Sequence, residues 1–128
     1  MAKILYAENE QNLRTLLKKF FKGDHEVVDA NNAKNAFGLF NDSFDVVLTD
    51  YDMDDDTGVD LAKSIRQTNK HIPIIMLSGT DIDDIKNKYP DFDDLGIHLI
   101  KKPARPAIID ELITSRVHRY RSIGVSPS

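Results

Sequence analysis

The stretch Val46-Val47-Leu48-Thr49-Asp50-Tyr51-Asp52-Met53-Asp54-Asp55-Asp56-Thr57-Gly58 runs three apolar residues into five carboxylates and closes on a glycine. An apolar run bounded by turn residues reads as a strand buried on both faces. A carboxylate at the carboxyl end of such a strand lies where open α/β sheets place their ligands. Other chemistry-bearing residues also follow short apolar runs: Glu8 and Asn9 after Ile4–Ala7, Ser78 and Gly79 after Ile74–Leu77, and Lys102 after Ile97–Ile100. Carboxylates gathered in one crevice repel each other and call for a cation. A few hard oxygen ligands suit Mg²⁺, which takes one or two carboxylates and keeps several waters. An ammonium and a hydroxyl beside that ion can hold the oxygens of a phosphoryl group, and an aspartate can itself be the nucleophile. The chemistry implied is Mg²⁺-assisted phosphorylation of Asp50.

Strands and helices must alternate to bring these residues together. Lys3–Ala7 reads as the first strand, followed by a helix with Leu13, Leu16, Leu17, Phe20 and Phe21 on one face and Gly23 beyond its end. Glu26–Asp29 is a short second strand. Ala33, Ala36, Phe37 and Phe40 mark a second helix capped by Asn31 or Asn32. After the third strand, a helix starting near Thr57 and Gly58 carries Val59, Leu61, Ala62 and Ile65. Pro73 precedes the fourth strand, Ile74–Leu77. Thr80 with Asp83 has capping-box spacing, and Pro90 limits the helix that follows to about two turns. Ile97–Ile100 is the fifth strand. Pro106 suits the first turn of a last helix that buries Ile109, Leu112, Ile113, Val117 and Tyr120.

This alternation implies an α/β fold, a doubly wound parallel sheet of five strands with helices on both faces. The first, third and fourth strands are continuously apolar, as central strands must be. The second has charged flanks and the fifth carries His98, so both read as edges. The flavodoxin-like order 2-1-3-4-5 satisfies those placements, and its switch point lies between Glu8 and Asn9 on one side and Asp50 on the other.

Composition narrows the class. The chain has 128 residues, 41% hydrophobic and 30% charged, and no cysteine, which excludes disulfides and thiolate metal sites. No apolar run approaches the roughly 18 residues of a membrane span, so no membrane insertion and a cytoplasmic location are expected. A net charge of −4 argues against a nucleic-acid footprint. The expected organisation is one domain over residues 1–121 and a polar tail over 122–128.

Taken together, four segments resemble the receiver domain of two-component response regulators, of the single-domain, chemotaxis-receiver-like kind. They are Ile4–Arg14, Asp50 with Met53 three residues on and Gly58 eight on, Pro73–Gly79, and Lys102-Pro103. The resemblance implies that Asp50 accepts a phosphoryl group from a sensor histidine kinase or a histidine phosphotransfer protein. Glu8, Asn9, Asp50 and the Asp52 carbonyl would hold Mg²⁺. Ser78, Gly79 and Lys102 would contact the phosphoryl group, and the changed surface would engage a downstream protein. The family usually has a cis bond before the proline at 103.

Three departures from the family pattern stand out. Asn9 occupies a place usually held by aspartate, which predicts weakened Mg²⁺ binding. Asp54 replaces a usual proline. Leu99 stands at the switch position usually held by an aromatic residue, in a segment one residue shorter than usual.

Competing readings are also defined. Asp54, Asp55 and Asp56 read as a solvated loop. An EF-hand over this stretch fails because Asp55 holds the obligatory glycine place and Leu61 the bidentate glutamate place. The four histidines read as surface or edge residues. A phosphatase of the haloacid-dehalogenase kind would carry its aspartate pair on the first strand, so no enzyme is expected beyond self-phosphorylation and self-dephosphorylation. The alternative function is a phosphorylation-independent pseudo-receiver serving as an interaction module.

Overall fold

A computed structural model describes residues 1–123. Five strands, β1 (Lys3–Ala7), β2 (Glu26–Ala30), β3 (Val46–Asp50), β4 (Ile74–Ser78) and β5 (Ile97–Lys101), alternate with five helices. The helices are α1 (Gln11–Phe21), α2 (Ala33–Leu39), α3 (Gly58–Arg66), α4 (Ile82–Lys88) and α5 (Pro106–Ser122), with a 3-10 turn at Phe92–Leu95. All strand pairs are parallel, in the order β2-β1-β3-β4-β5. β3 and β4 are buried at every position, whereas β2 and β5 are largely half-exposed, which follows from their edge places.

The sheet alternates its side chains between two apolar layers. Ile4, Tyr6, Leu48 and Leu77 pack against Leu17 of α1 and Ile109 and Ile113 of α5. Leu5, Val47 and Ile74 pack against Ala36 of α2 and Leu61 and Ile65 of α3. Local chemistry sets the ends of the helices. Asn32 caps α2 by accepting from the Asn35 backbone N–H, and Thr57 and Asp60 form a capping box on α3. Gly23 follows α1 at φ 95, the left-handed region.

Several expectations need correction. Leu16 and Phe20 belong to the apolar stripe of α1 yet lie exposed; of that stripe Leu17 and Phe21 are buried and Leu13 is half-buried. Thr80 does not cap α4; its N–H binds Ser78 Oγ, and the residue before the helix is Asp81. His25 is no surface residue. Its Nδ1 accepts from the Ala2 backbone N–H at 3.0 Å and its Nε2 pairs with Asp110 at 2.8 Å. The last helix extends through Ser122, one residue into the expected tail, and residues 124–128 lie outside the described residues.

Candidate functional site

β1, β3, β4 and β5 deliver their last residues to one edge of the sheet. Asp50 ends β3 and is only 5% exposed. Glu8 follows β1 at 1% exposure, and its backbone N–H is held by the Ala30 carbonyl at 3.0 Å. Ser78 ends β4, fully buried. Lys102 follows β5; its backbone N–H donates to the Ser78 carbonyl at 2.8 Å, and the bond to Pro103 is cis. The Lys102 ammonium then lies 2.7 Å from Asp50 Oδ1. Its neighbour Lys101 turns outward to Asp81. Sequence position alone distinguishes these two lysines weakly; the strand's alternation separates them.

The electrostatics follow from burial. Burial raises the Asp50 carboxyl above the ordinary aspartate value, offset in part by the Lys102 hydrogen bond and charge. Burial also raises Glu8, and the Asp50 charge raises it further. Lys102 is raised despite its burial, because Asp50 and then Glu8 favour its charged form. The Lys102 ammonium is therefore paired with Asp50 and reaches Glu8 only through its charge. Glu8 Oε2 accepts from the Glu10 backbone N–H, but Glu8 Oε1 is buried without a hydrogen-bond partner. A buried anionic oxygen left unsatisfied is costly. The chemistry of a donor set of Glu8 and Asp50, with oxygens from Asn9, next to Glu8 in the chain, and Asp52, two residues after Asp50, fits a hard divalent cation. Among the described residues no three His, Cys, Asp or Glu side chains converge for a metal, so beyond Glu8 and Asp50 such an ion would rely on neutral oxygens and water.

The remaining sequence-derived residues are disposed differently. Asn9 is half-exposed and donates from Nδ2 to Asp54 Oδ1 at 3.2 Å. Asp52 is exposed. Ser78 Oγ donates to the Thr80 carbonyl and accepts from the Thr80 N–H, both at 2.9 Å, so its hydroxyl is engaged in its own turn. Gly79 is exposed, and an added Cβ would meet nothing within 4 Å. Leu99 pairs with Met76 across the sheet and packs half-buried near Tyr51 and Ile85.

Three features escaped the sequence reading. Asp55 is not merely solvated: its two carboxylate oxygens accept from the Ala33 and Lys34 backbone N–H groups at 3.0 and 2.9 Å, tying the loop after β3 to the start of α2. Burial opposes its ionisation, but backbone N–H donors from Lys34, Asp56, Ala33 and Asp55 together hold its carboxyl below the ordinary value. Tyr6, two residues before Glu8 on the same strand face, is buried with its hydroxyl unpartnered, and burial together with the Glu8 charge raises it. Gly58 packs so tightly on the end of β3 that a Cβ would stand 2.4 Å from the Asp50 carbonyl oxygen. Only the last had a signal, a glycine at a fixed distance from Asp50.

The family model of the response regulator receiver domain matches residues 4–114. The chain belongs to this family. Receiver domains are signalling domains whose family function depends on phosphorylation; they bind Mg²⁺ and interact with histidine kinases. The transcriptional regulatory protein CpxR of Escherichia coli (strain K12) is 35% identical over 86 residues, which cover 65% of this receiver and 37% of that relative. The chain thus spans little more than a third of the length of that protein. Two solved structures share the fold at a TM-score of 0.84. The response regulator receiver domain protein from Clostridium thermocellum is 23% identical, with 96% of this chain and 99% of that chain covered. The CheY-like receiver from Methanospirillum hungatei is 20% identical, with 97% and 99% covered. No described helix is long and apolar enough to cross a membrane.

Proposed function

We propose that this receiver is a phosphorylation switch in which Asp50 accepts a phosphoryl group from a histidine kinase or a histidine phosphotransfer protein. The observation that carries the reading is the buried Asp50 carboxylate, 2.7 Å from the Lys102 ammonium and coupled to a Glu8 carboxylate with an unpartnered oxygen. In the transfer, an Asp50 oxygen forms a bond to phosphorus while the donor's N–P bond breaks, and the electron pair stays on the imidazole nitrogen. Lys102 balances charge on the transferred group and keeps Asp50 aimed. Ser78 Oγ can exchange its Thr80 partners for a phosphoryl oxygen, and the space around Gly79 leaves its backbone free to follow. Glu8, Asn9, Asp50 and the Asp52 carbonyl would hold Mg²⁺, which supplies charge neutralisation at the phosphoryl oxygens. The Ser78–Thr80 turn leads directly into α4, so its rearrangement changes the surface offered to a downstream protein.

Asn9 favours a second reading, an interaction module that works without phosphorylation, since a neutral amide leaves the cation one charge short of a three-carboxylate site. One experiment separates the two. Incubation with a small phosphodonor and Mg²⁺ should add the mass of one phosphoryl group to the wild type and nothing to Asp50→Asn. An unchanged wild-type mass, at saturating donor and Mg²⁺, supports the module and contradicts the switch.

A further inference from the structure

Asp54 lies outside the set assigned above, exposed in the loop after β3 beside Asp55, whose oxygens are taken by the start of α2. Its Oδ1 takes the hydrogen bond from Asn9 Nδ2, joining the loop after β1 to the loop after β3 across the mouth of the crevice. An amide is planar, and its oxygen and nitrogen diverge. A carboxylate that accepts from the nitrogen therefore fixes which way the oxygen points, and a carboxylate cannot accept from the oxygen. Asn9 alone has two amide orientations of similar shape; Asp54 removes the choice. With Nδ2 committed to Asp54, Oδ1 is on the other branch of the amide. The adjoining residue, Glu8, carries the unpartnered buried oxygen, in electrostatic contact with Asp50.

We propose that Asp54 is a positioning residue for the cation site, holding the Asn9 amide so that its oxygen, not its nitrogen, is offered beside Glu8 and Asp50. This inference rests on the Mg²⁺ site proposed above. It explains how a neutral side chain can still act as a ligand there: partners of metal ligands fix orientation. It also separates Asp54 from its neighbour Asp55, whose oxygens are both taken by α2.

The test is Mg²⁺ titration of the whole protein by ¹H–¹⁵N NMR at constant ionic strength, reading affinity and the Asn9 side-chain NH₂ resonance. Asp54→Ala should weaken Mg²⁺ by about threefold or more, less than the roughly 10–100-fold typical for partners of stronger ligands. Asp54→Asn, whose amide can accept from Nδ2 or donate to Oδ1 and so fixes the orientation only in part, should lose less than Asp54→Ala. In an Asn9→Asp background, where both oxygens are equivalent and Asp54 repels, Asp54→Ala should leave affinity unchanged or raise it. The spectrum of each variant before Mg²⁺ reports its fold. Equal affinities of wild type and Asp54→Ala would overturn the proposal. So would equal losses for the alanine and asparagine variants that persist in the Asn9→Asp background, since that pattern is bulk charge alone. Binding by Asn9→Asp but not by the wild type would overturn it as well. Absence of binding in every variant, Asn9→Asp included, would instead bring down the underlying Mg²⁺ site, and this inference with it.

Discussion

Gly58→Ala is the sharpest structural perturbation of the site. Gly58 is the first residue of α3, and its N–H donates to the Tyr51 carbonyl at 2.8 Å. A Cβ at this position would stand 2.4 Å from the Asp50 carbonyl oxygen, 3.0 Å from Met76 Sδ and 3.1 Å from Thr49 Cγ2. The first contact falls 1.0 Å short of the 3.4 Å where ordinary van der Waals contact begins. It is also made with backbone that cannot rotate away. That carbonyl accepts from Thr49 Oγ1 at 2.9 Å, and the side chain of the same residue is paired with Lys102. The helix start or the end of β3 must therefore move.

Overpacking of this kind costs about 1–3 kcal/mol, and the better helix propensity of alanine returns up to about 1 kcal/mol. Because the clash is with backbone, the cost lies in the upper part of that range, and we expect a net loss of about 1–2 kcal/mol. That is tolerable for a domain with a stability of about 5–15 kcal/mol. With a urea slope of about 1–3 kcal/mol/M, the unfolding midpoint should fall by about 1 M. Circular dichroism of urea titrations measures it. Gly79→Ala is the control, since its Cβ meets nothing within 4 Å, and should change stability by no more than about 0.5 kcal/mol. A Gly58→Ala midpoint equal to or above wild type would contradict this close packing. It would show that the end of β3 is soft, and that Asp50 is not held where the account needs it.

Other predictions follow from particular contacts. Glu8 has a raised carboxyl in the folded chain, so between the unfolded value and that raised value the folded state holds more protons. Stability then falls as pH rises through that window. Glu8→Gln should therefore raise the melting temperature at neutral pH, with the gain vanishing near pH 4, roughly the ordinary glutamate value; a variant less stable than wild type at neutral pH would contradict it. Mg²⁺ should stabilise the wild type more than Glu8→Gln, as ligand linkage requires. Asp55→Ala should cost about 0.5–2 kcal/mol through the lost acceptor at the start of α2, read by urea unfolding. An unchanged midpoint would show that Asn32 alone caps the helix.

The parts of this molecule that were legible beforehand are those with one dominant physical cause. β1, β3 and β4 are apolar at nearly every position because both faces are covered, and that continuity both located them and made them central. Asp50, Glu8, Ser78 and Lys102 were legible because each follows such a strand and parallel topology sends those ends to one edge. What stayed hidden depends on contacts between distant segments. Nothing local in Asp54-Asp55-Asp56 tells that the first reaches Asn9, 45 residues earlier, and the second reaches the start of α2. Likewise α1 shows a five-residue apolar stripe, but only packing decides that Leu16 and Phe20 stay outside. His25 reads as a surface or edge residue until the Ala2 N–H and Asp110 enclose it.

The central claim is that the phosphoryl group resides on one carboxylate among several close together. An acyl phosphate is reduced by borohydride to the alcohol, which marks the residue that carried it. After phosphodonor treatment with Mg²⁺, reduction and peptide mapping, the account predicts conversion of Asp50 alone, with Glu8, Asp52, Asp54, Asp55 and Asp56 intact. Conversion at any of those instead, or none in a protein shown by NMR to bind Mg²⁺, would contradict it.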